Sequence, residues 1–269
     1  MYVMDIMDAK PILPSKERIA ARFGRAVGVC EPSAGVNMEI VARVAAVVRN
    51  EMGIGQLWAD LGSGTGKLAE NLRAVSAVAR MVCLDMAFPP LRRAAQSGRT
   101  AYAVNADIDN LPFHAGTLNG AVAVSVLQWL SAPEKALSGV ANALKPNGAL
   151  CFAAYVDGAF TELVETRTRM GLPQVIWLPT VSELLMTFDI AGFDVRAEGI
   201  EHFDRVQRFP DAASALGSLS RLGATATSGR LLNRSELAEL YKDYTLVFGK
   251  KGTVPLTYRS IIGTVRKRD

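Results

Sequence analysis

Trp58-Ala59-Asp60-Leu61-Gly62-Ser63-Gly64-Thr65-Gly66 decides the reading of this chain. The run from Gln56 to Leu61 has the composition of a buried parallel strand, breaks at once into a glycine-dense turn, and gives way to helix-forming residues from Lys67 to Arg73. Glycines at alternate positions remove three Cβ atoms where the backbone must turn sharply and let a ligand approach. The helix that follows offers free N–H groups, so the turn predicts a polar or anionic guest.

The spacing excludes two familiar nucleotide turns. A dinucleotide fingerprint needs a glycine where Lys67 stands, and a phosphate-cradling loop needs Ser or Thr where Leu68 follows Gly66-Lys67. Gly62-x-Gly64-x-Gly66 preceded by Asp60 resembles motif I of class I S-adenosylmethionine-dependent methyltransferases. That resemblance implies that Asp60, Gly62, Ser63, Gly64 and Gly66 embrace the methionine end of the cofactor. An ordinary strand–helix turn is the competing reading.

Working outward, a second strand from Arg80 to Leu84 ends in Asp85. A carboxylate at the carboxyl end of the second strand of a doubly wound sheet is placed to accept both ribose hydroxyls of a nucleotide bound at the first turn, with Met86 beside it. Capping of the next helix by Asp85 is the alternative. A third strand, Ala101 to Val104, runs into Asp107-Ile108, which resembles the methyltransferase adenine site: an acceptor for the exocyclic amine, then an aliphatic residue against the ring. The strand Gly120 to Val126 leads to Leu127-Gln128-Trp129, and the family's usual Phe-Asp before it is Leu118-Asn119 here, one structural charge fewer. The fourth strand neighbours the first across the switch point, so Gln128 and Trp129 are expected at the reaction face and Leu127 at the cofactor. An indole that merely packs the core is the other reading of Trp129.

The flanks complete an α/β fold, a doubly wound seven-stranded sheet with the last strand antiparallel. Ile19, Phe23 and Val27 mark one helix and Ile40, Val44, Val47 and Val48 a second, so residues 1–50 are expected to lay helices over the cleft. Pro133 to Leu144 reads as a helix stopped at Lys145-Pro146-Asn147-Gly148, before a strand from Ala149 to Tyr155. Thr161 to Met170 is helical, Thr180-Val181-Ser182-Glu183 is a capping box, and Val195 to Glu201 is the next strand. Phe209 to Leu222 and Asn233 to Val247, the second opened by the capping box Asn233-Arg234-Ser235-Glu236, then interrupt the pattern before a last strand, Leu256 to Val265. They define a helical lid insertion over residues 205–250 within a single domain, 1–269, and the lid is expected to roof the glycine turn.

Composition narrows the function classes. The 269 residues, 49% hydrophobic and 21% charged, suffice for one α/β core plus a lid. No stretch reaches the ~18 apolar residues of a membrane span, and Asp5 and Asp8 do not suit a secretory leader, so a cytoplasmic protein without membrane attachment is expected. Three separated cysteines and two histidines predict no disulfide framework and no metal site. The net charge of +4 fits an acidic partner, and the Lys/Arg distribution does not predict nucleic-acid binding.

Phe23-Gly24-Arg25-Ala26, Leu127-Gln128-Trp129, Phe152-Ala153-Ala154 running to Phe160-Thr161-Glu162-Leu163, Leu222-Gly223-Ala224-Thr225 and Pro255-Leu256-Thr257-Tyr258 together resemble the malonyl-[acyl-carrier protein] O-methyltransferases of biotin synthesis. The resemblance implies methyl transfer from S-adenosylmethionine to the free carboxylate of a malonyl thioester on acyl-carrier protein, an acidic partner. That carboxylate is already ionised, so alignment rather than a general base is expected to carry catalysis. Gln128 and Trp129 would position the reactants. The family's Tyr is Cys30 here, and its basic positions before the Gly-Ala pair are Gly217 and Ser220. Arg25, Arg221 and Arg259 are the carboxylate-clamp candidates by chemistry, because a guanidinium binds a carboxylate bidentately. Two further readings are a complex I assembly-factor-like protein acting on a protein arginine, and a non-catalytic cofactor-binding assembly protein.

Overall fold

In a computed structural model, residues 14–26, 35–72, 80–98, 100, 102–174, 178–196, 199–221 and 232–269 are described, the side chains of 26, 220 and 221 excepted. Two helices, α1 (Lys16–Ala26) and α2 (Val36–Glu51), precede a regular alternation: β1 (Leu57–Leu61), α3 (Lys67–Leu72), β2 (Arg80–Asp85), α4 (Phe88–Gln96), β3 (Tyr102–Asn105), β4 (Leu118–Val124), α5 (Pro133–Ala143) and β5 (Leu144–Tyr155). After it come α6 (Thr161–Arg169), α7 (Val181–Ile190), β6 (Phe193–Asp194), β7 (Ile200–Phe209), α8 (Ala212–Arg221), α9 (Arg234–Phe248) and β8 (Val254–Lys267).

The sheet runs β3-β2-β1-β4-β5-β8, with β1 to β5 parallel and β8 antiparallel to β5. β6 and β7 both pair with the outer side of β8, Phe193 opposite Lys267 and Ile200 opposite Gly263, so they share one edge position and the sheet is seven positions wide. The order reverses between β1 and β4, and the loops there open at the carboxyl edge. One apolar layer joins Ile40, Val44 and Val48 of α2 to Trp58, Val122 and Cys151, continuing to Leu163, Leu219 and Leu240. On the other face Leu137 and Val140 of α5 and Leu184 and Phe188 of α7 cover Leu61, Leu84, Leu150 and Phe152.

Neighbouring strands are fitted by single residues. Trp58 faces Gly120 across β1 and β4, and a Cβ on that glycine would lie 2.5 Å from the indole ring. Asn119 accepts from the Leu57 N–H at 3.1 Å and from Lys145 Nζ at 3.2 Å, so the neutral side chain still ties β1, β4 and β5 together. Both capping boxes form, Thr180 with Glu183 and Asn233 with Glu236.

Three boundaries differ from the sequence reading. The stop expected at 145–148 lies inside β5, because Leu118 pairs with Leu144 and Gly120 with Ala149, leaving the extra residues as a bulge with Asn147 at φ 58°. The strand expected at 195–201 is instead β6 followed by β7, which continues to Phe209 through pairing with β8. Its apolar residues Ile200, Phe203, Val206 and Phe209 recur every third position, which hides the strand period; Phe203 and Phe209 point inward and Val206 is exposed. Consequently the helical insertion begins at Ala212, not at 205. Its helices pack on α6, β7 and β8.

Two segments far apart in sequence meet at the start of α6. Glu162, buried, accepts from the Thr257 N–H at 2.9 Å and from Thr257 Oγ1 at 2.6 Å, while the Phe160 N–H donates to the Thr257 carbonyl at 2.7 Å and the Phe160 ring meets Tyr258 edge-on. The close contact at Gly120 yields a test. Gly120→Ala overpacks the β1–β4 seam and should cost about 1–3 kcal/mol in urea unfolding, with a change in the near-ultraviolet signal of Trp58.

Candidate functional site

The site grows from the turn after β1. Gly62, Gly64 and Gly66 all take positive φ, at 70°, 53° and 76°, where a Cβ is strained. A Cβ on Gly62 would also lie 2.5 Å from Val126 Cγ2, whereas one on Gly64 would meet nothing within 4 Å. The first glycine therefore admits the β4 loop, and the second leaves room. The turn is fastened to β2 by the N–H groups of Gly62 and Ser63, both donating to the Leu84 carbonyl at 2.8 and 3.0 Å.

Asp60 and Asp85 stand at the ends of β1 and β2. Asp85 accepts from the Gly64 N–H through Oδ2 and the Ala87 N–H through Oδ1, both at 2.7 Å. It thus supports both the glycine turn and the entry to α4, and each oxygen keeps a lone pair. Burial raises its pKa above the ordinary carboxylate value, against those two donors. Asp60 is 2% exposed, and burial together with the neighbouring Asp85 charge pushes it from 3.8 to about 7.

Downstream of β3, Asp107 Oδ1 accepts from the Asp109 N–H at 3.0 Å, and Ile108 is buried beside it. The Met86 carbonyl accepts from Asn105 Nδ2 at 3.0 Å. Downstream of β4, Leu127 is buried and Gln128 Nε2 donates to the Ser125 carbonyl at 2.9 Å. Trp129 meets the Phe23 ring of α1 edge-on, with centroids 5.8 Å apart. The bland reading of the indole as core packing does not account for its Nε1, which is buried without a partner.

That orphan is one of a set. Among the described residues, the buried side-chain nitrogen and oxygen atoms without a hydrogen-bond partner are Asp60 Oδ2, Ser63 Oγ beside the Cys83 thiol, Asp109 Oδ1, Gln128 Oε1 and Trp129 Nε1. All five belong to residues at the carboxyl ends of β1, β3 and β4. Buried polar atoms are ordinarily paired, so this clustering marks groups arranged for a guest with both donors and acceptors.

The arginine candidates stand in different settings where they are described. Arg25 is exposed at the end of α1, Arg259 Nε pairs with Asp204 Oδ2 at 3.2 Å, and the Arg221 side chain lies outside the described residues, as do Cys30 and Leu222-Gly223-Ala224-Thr225. Sequence reasoning missed four features here. Lys16 of α1 binds Asp107 and Asp109; as one of the charges Lys16-Glu17-Arg18 at a helix start it carried no motif. Ser125 holds φ 53° at the switch point, a strain that no local pattern announces. The buried Tyr155 hydroxyl donates to Asn37 Oδ1. Arg167 on α6 is 6% exposed, donates from Nε to the Pro173 carbonyl at 2.8 Å, and has no carboxylate partner among the described residues; burial lowers its pKa.

Comparison with known proteins agrees with this geometry. Residues 59–152 match the family model described as a methyltransferase domain. These residues carry a methyltransferase domain. The donor set fits S-adenosylmethionine as a cofactor: carboxylate acceptors at the ends of β1, β2 and β3, an open glycine turn, and unpartnered atoms between. A protein of Geobacter sulfurreducens named malonyl-[acyl-carrier protein] O-methyltransferase is 27% identical over 94% of this chain and 99% of its own. One of the same name from Pectobacterium atrosepticum is 28% identical over 93% and 96%. A solved structure of a candidate methyltransferase from Bacillus halodurans superposes with a TM-score of 0.61 at 16% identity, covering 86% of this chain and all of that one, which bears on the fold alone. Among the described residues no helix is long and apolar enough to cross a membrane, and no group of His, Cys, Asp and Glu could hold a metal ion.

Two outcomes follow from the carboxylates. The unfolded chain releases the Asp60 proton near 3.8 while the native free protein holds it to about 7. The native state therefore binds more protons in between and loses stability as pH rises through that window, a slope that Asp60→Asn should largely remove in urea titrations. A cationic guest favours the ionised form, so cofactor affinity by calorimetry should rise as pH passes 7 and then level off. Asp85→Ala should weaken cofactor binding about ten- to hundredfold. Because it also strands the Gly64 and Ala87 N–H groups, it should lower stability by about 1–3 kcal/mol.

Proposed function

We propose that the protein methylates the free carboxylate of a malonyl thioester carried on acyl-carrier protein, the reaction of biotin synthesis. The observation that carries this reading is the extent of the match to the Geobacter sulfurreducens protein, 94% of this chain and 99% of that one, end to end rather than over the methyltransferase domain alone. Asp60 with Gly62, Ser63, Gly64 and Gly66 would hold the methionine end of the cofactor, Asp85 and Met86 the ribose, Asp107 and Ile108 the adenine, with Leu127 against it.

When bound, S-adenosylmethionine supplies an electrophilic methyl group on a sulfonium. The chain's own contribution is alignment and exclusion of water. Gln128, fixed through Nε2, presents Oε1 to the cleft, and Trp129 presents its N–H; both can orient the reacting groups without proton transfer, which an ionised carboxylate does not require. α1, α8 and α9 cap the cleft in this reading. α8 reaches Tyr258 through Ser218 Oγ at 3.3 Å, and Tyr258 lies near Tyr155 at the end of β5.

Acyl-carrier proteins are acidic, and a chain of net charge +4 would attract one. Arg25, Arg221 and Arg259 remain clamp candidates, and Arg167 joins them as a buried guanidinium with no carboxylate partner among the described residues, although Arg259 would first have to leave Asp204. The clamp should appear as a Michaelis constant for the carrier-bound substrate raised about tenfold or more in one of the four single Arg→Lys variants, with cofactor affinity unchanged. The decisive assay is mass spectrometry of malonyl-carrier protein incubated with methyl-labelled cofactor. Label on the malonyl carboxylate supports the proposal. Label on a protein arginine, as for the assembly-factor-like reading, or no turnover by a protein that binds the cofactor, overturns it.

A further inference from the structure

No local pattern singles out Lys16. Its ammonium contacts Asp107 Oδ2 and Asp109 Oδ2 together, ninety residues away in sequence, and Ser131 Oγ adds a donor to Asp109 Oδ2 at 3.2 Å. Neither partner is freely solvated: the Lys16 side chain is 31% exposed, Asp107 28% and Asp109 13%. Burial disfavours the ammonium, but the two carboxylates override it and hold its pKa above the ordinary value.

The rest of α1 is attached in the same region. Two turns beyond Lys16, Phe23 meets Trp129 edge-on, and Gly24 lies so close to Pro89 that a Cβ would sit 3.2 Å from its ring. The helix is therefore fastened to the first turn of α4, after β2, and to the segments that follow β3 and β4. In the sheet β1 lies between β2 and β4, so α1 crosses the mouth in front of the glycine turn. Its buried Ile19 belongs to neither of the two core layers. What anchors the helix is largely the walls of the cleft itself.

We propose that Lys16 is a positioning residue and latch: by bridging Asp107 and Asp109 it holds α1 across the cleft and sets the rate at which cofactor and demethylated by-product exchange. The proposal rests on the reading of Asp107 as the adenine acceptor. Asp107 Oδ2 retains a lone pair beside the ammonium, so the bridge orients that carboxylate without filling it. Opening the mouth requires breaking two charge-assisted contacts and lifting Phe23 from Trp129. Salt weakens the first and leaves the second.

The test uses the full-length protein, S-adenosylhomocysteine as the probe, stopped-flow tryptophan fluorescence, and hydrogen exchange of α1 amides without ligand. Lys16→Met should raise the dissociation rate about tenfold, the scale of a lost charge-assisted contact. It should deprotect the α1 amides while those of β1 to β5 keep their protection. Lys16→Arg should restore both, and salt should accelerate dissociation from the unmodified protein but not from Lys16→Met. Unchanged dissociation and unchanged α1 protection in Lys16→Met would overturn the latch. Unchanged equilibrium affinity for S-adenosylhomocysteine in Asp107→Ala would instead overturn the adenine assignment, and α1 exchange in the free protein separates the two failures.

Discussion

Two carboxylates share one dry corner with no cation between them, and the rest of the site depends on that. Among the described residues neither Asp60 nor Asp85 has a lysine or arginine within ion-pair reach. Asp85 is kept by two backbone N–H groups, and Asp60 keeps its proton to about pH 7 because burial and Asp85 oppose its charge. An arrangement that costs the free protein stability becomes favourable when a positively charged guest lies against it. The same logic extends to the atoms of Ser63, Asp109, Gln128 and Trp129 that have no partner among the described residues and that a polar guest would satisfy.

How legible this was depended on the range of the forces involved. The strand, glycine turn and helix around Asp60 declare themselves locally, since positive φ and close approach can be met by few residues besides glycine. The carboxylates at the ends of β2 and β3 follow from the wound topology. Both helix starts with capping boxes were readable for the same local reason. β7 was misread because its length comes from pairing with β8, which no window of ten residues contains, and its inward residues Phe203 and Phe209 do not alternate cleanly. The bulge at the start of β5 is another product of pairing.

Substrate groups were harder still. An arginine earns its role from what surrounds it, and the sequence does not disclose surroundings. Arg259 looked available and has Asp204; Arg167 drew no reading and is buried, with no carboxylate partner among the described residues. Lys16 was invisible for the same reason. Conversely, the segments around Phe160–Leu163 and Pro255–Tyr258, which carried the resemblance, touch through Glu162 and Thr257. The matched ends are thus one packed unit that joins α6 to the start of β8.

If the carboxyl ends of β1, β2 and β3 form the nucleotide cleft, a crystal structure with S-adenosylhomocysteine will show it. The ribose hydroxyls should lie on Asp85, the adenine amine on Asp107, and the amino group of the amino-acid moiety within reach of Asp60 Oδ2. A nucleotide bound away from these three carboxylates, with Asp60 Oδ2 still unpartnered, would contradict it.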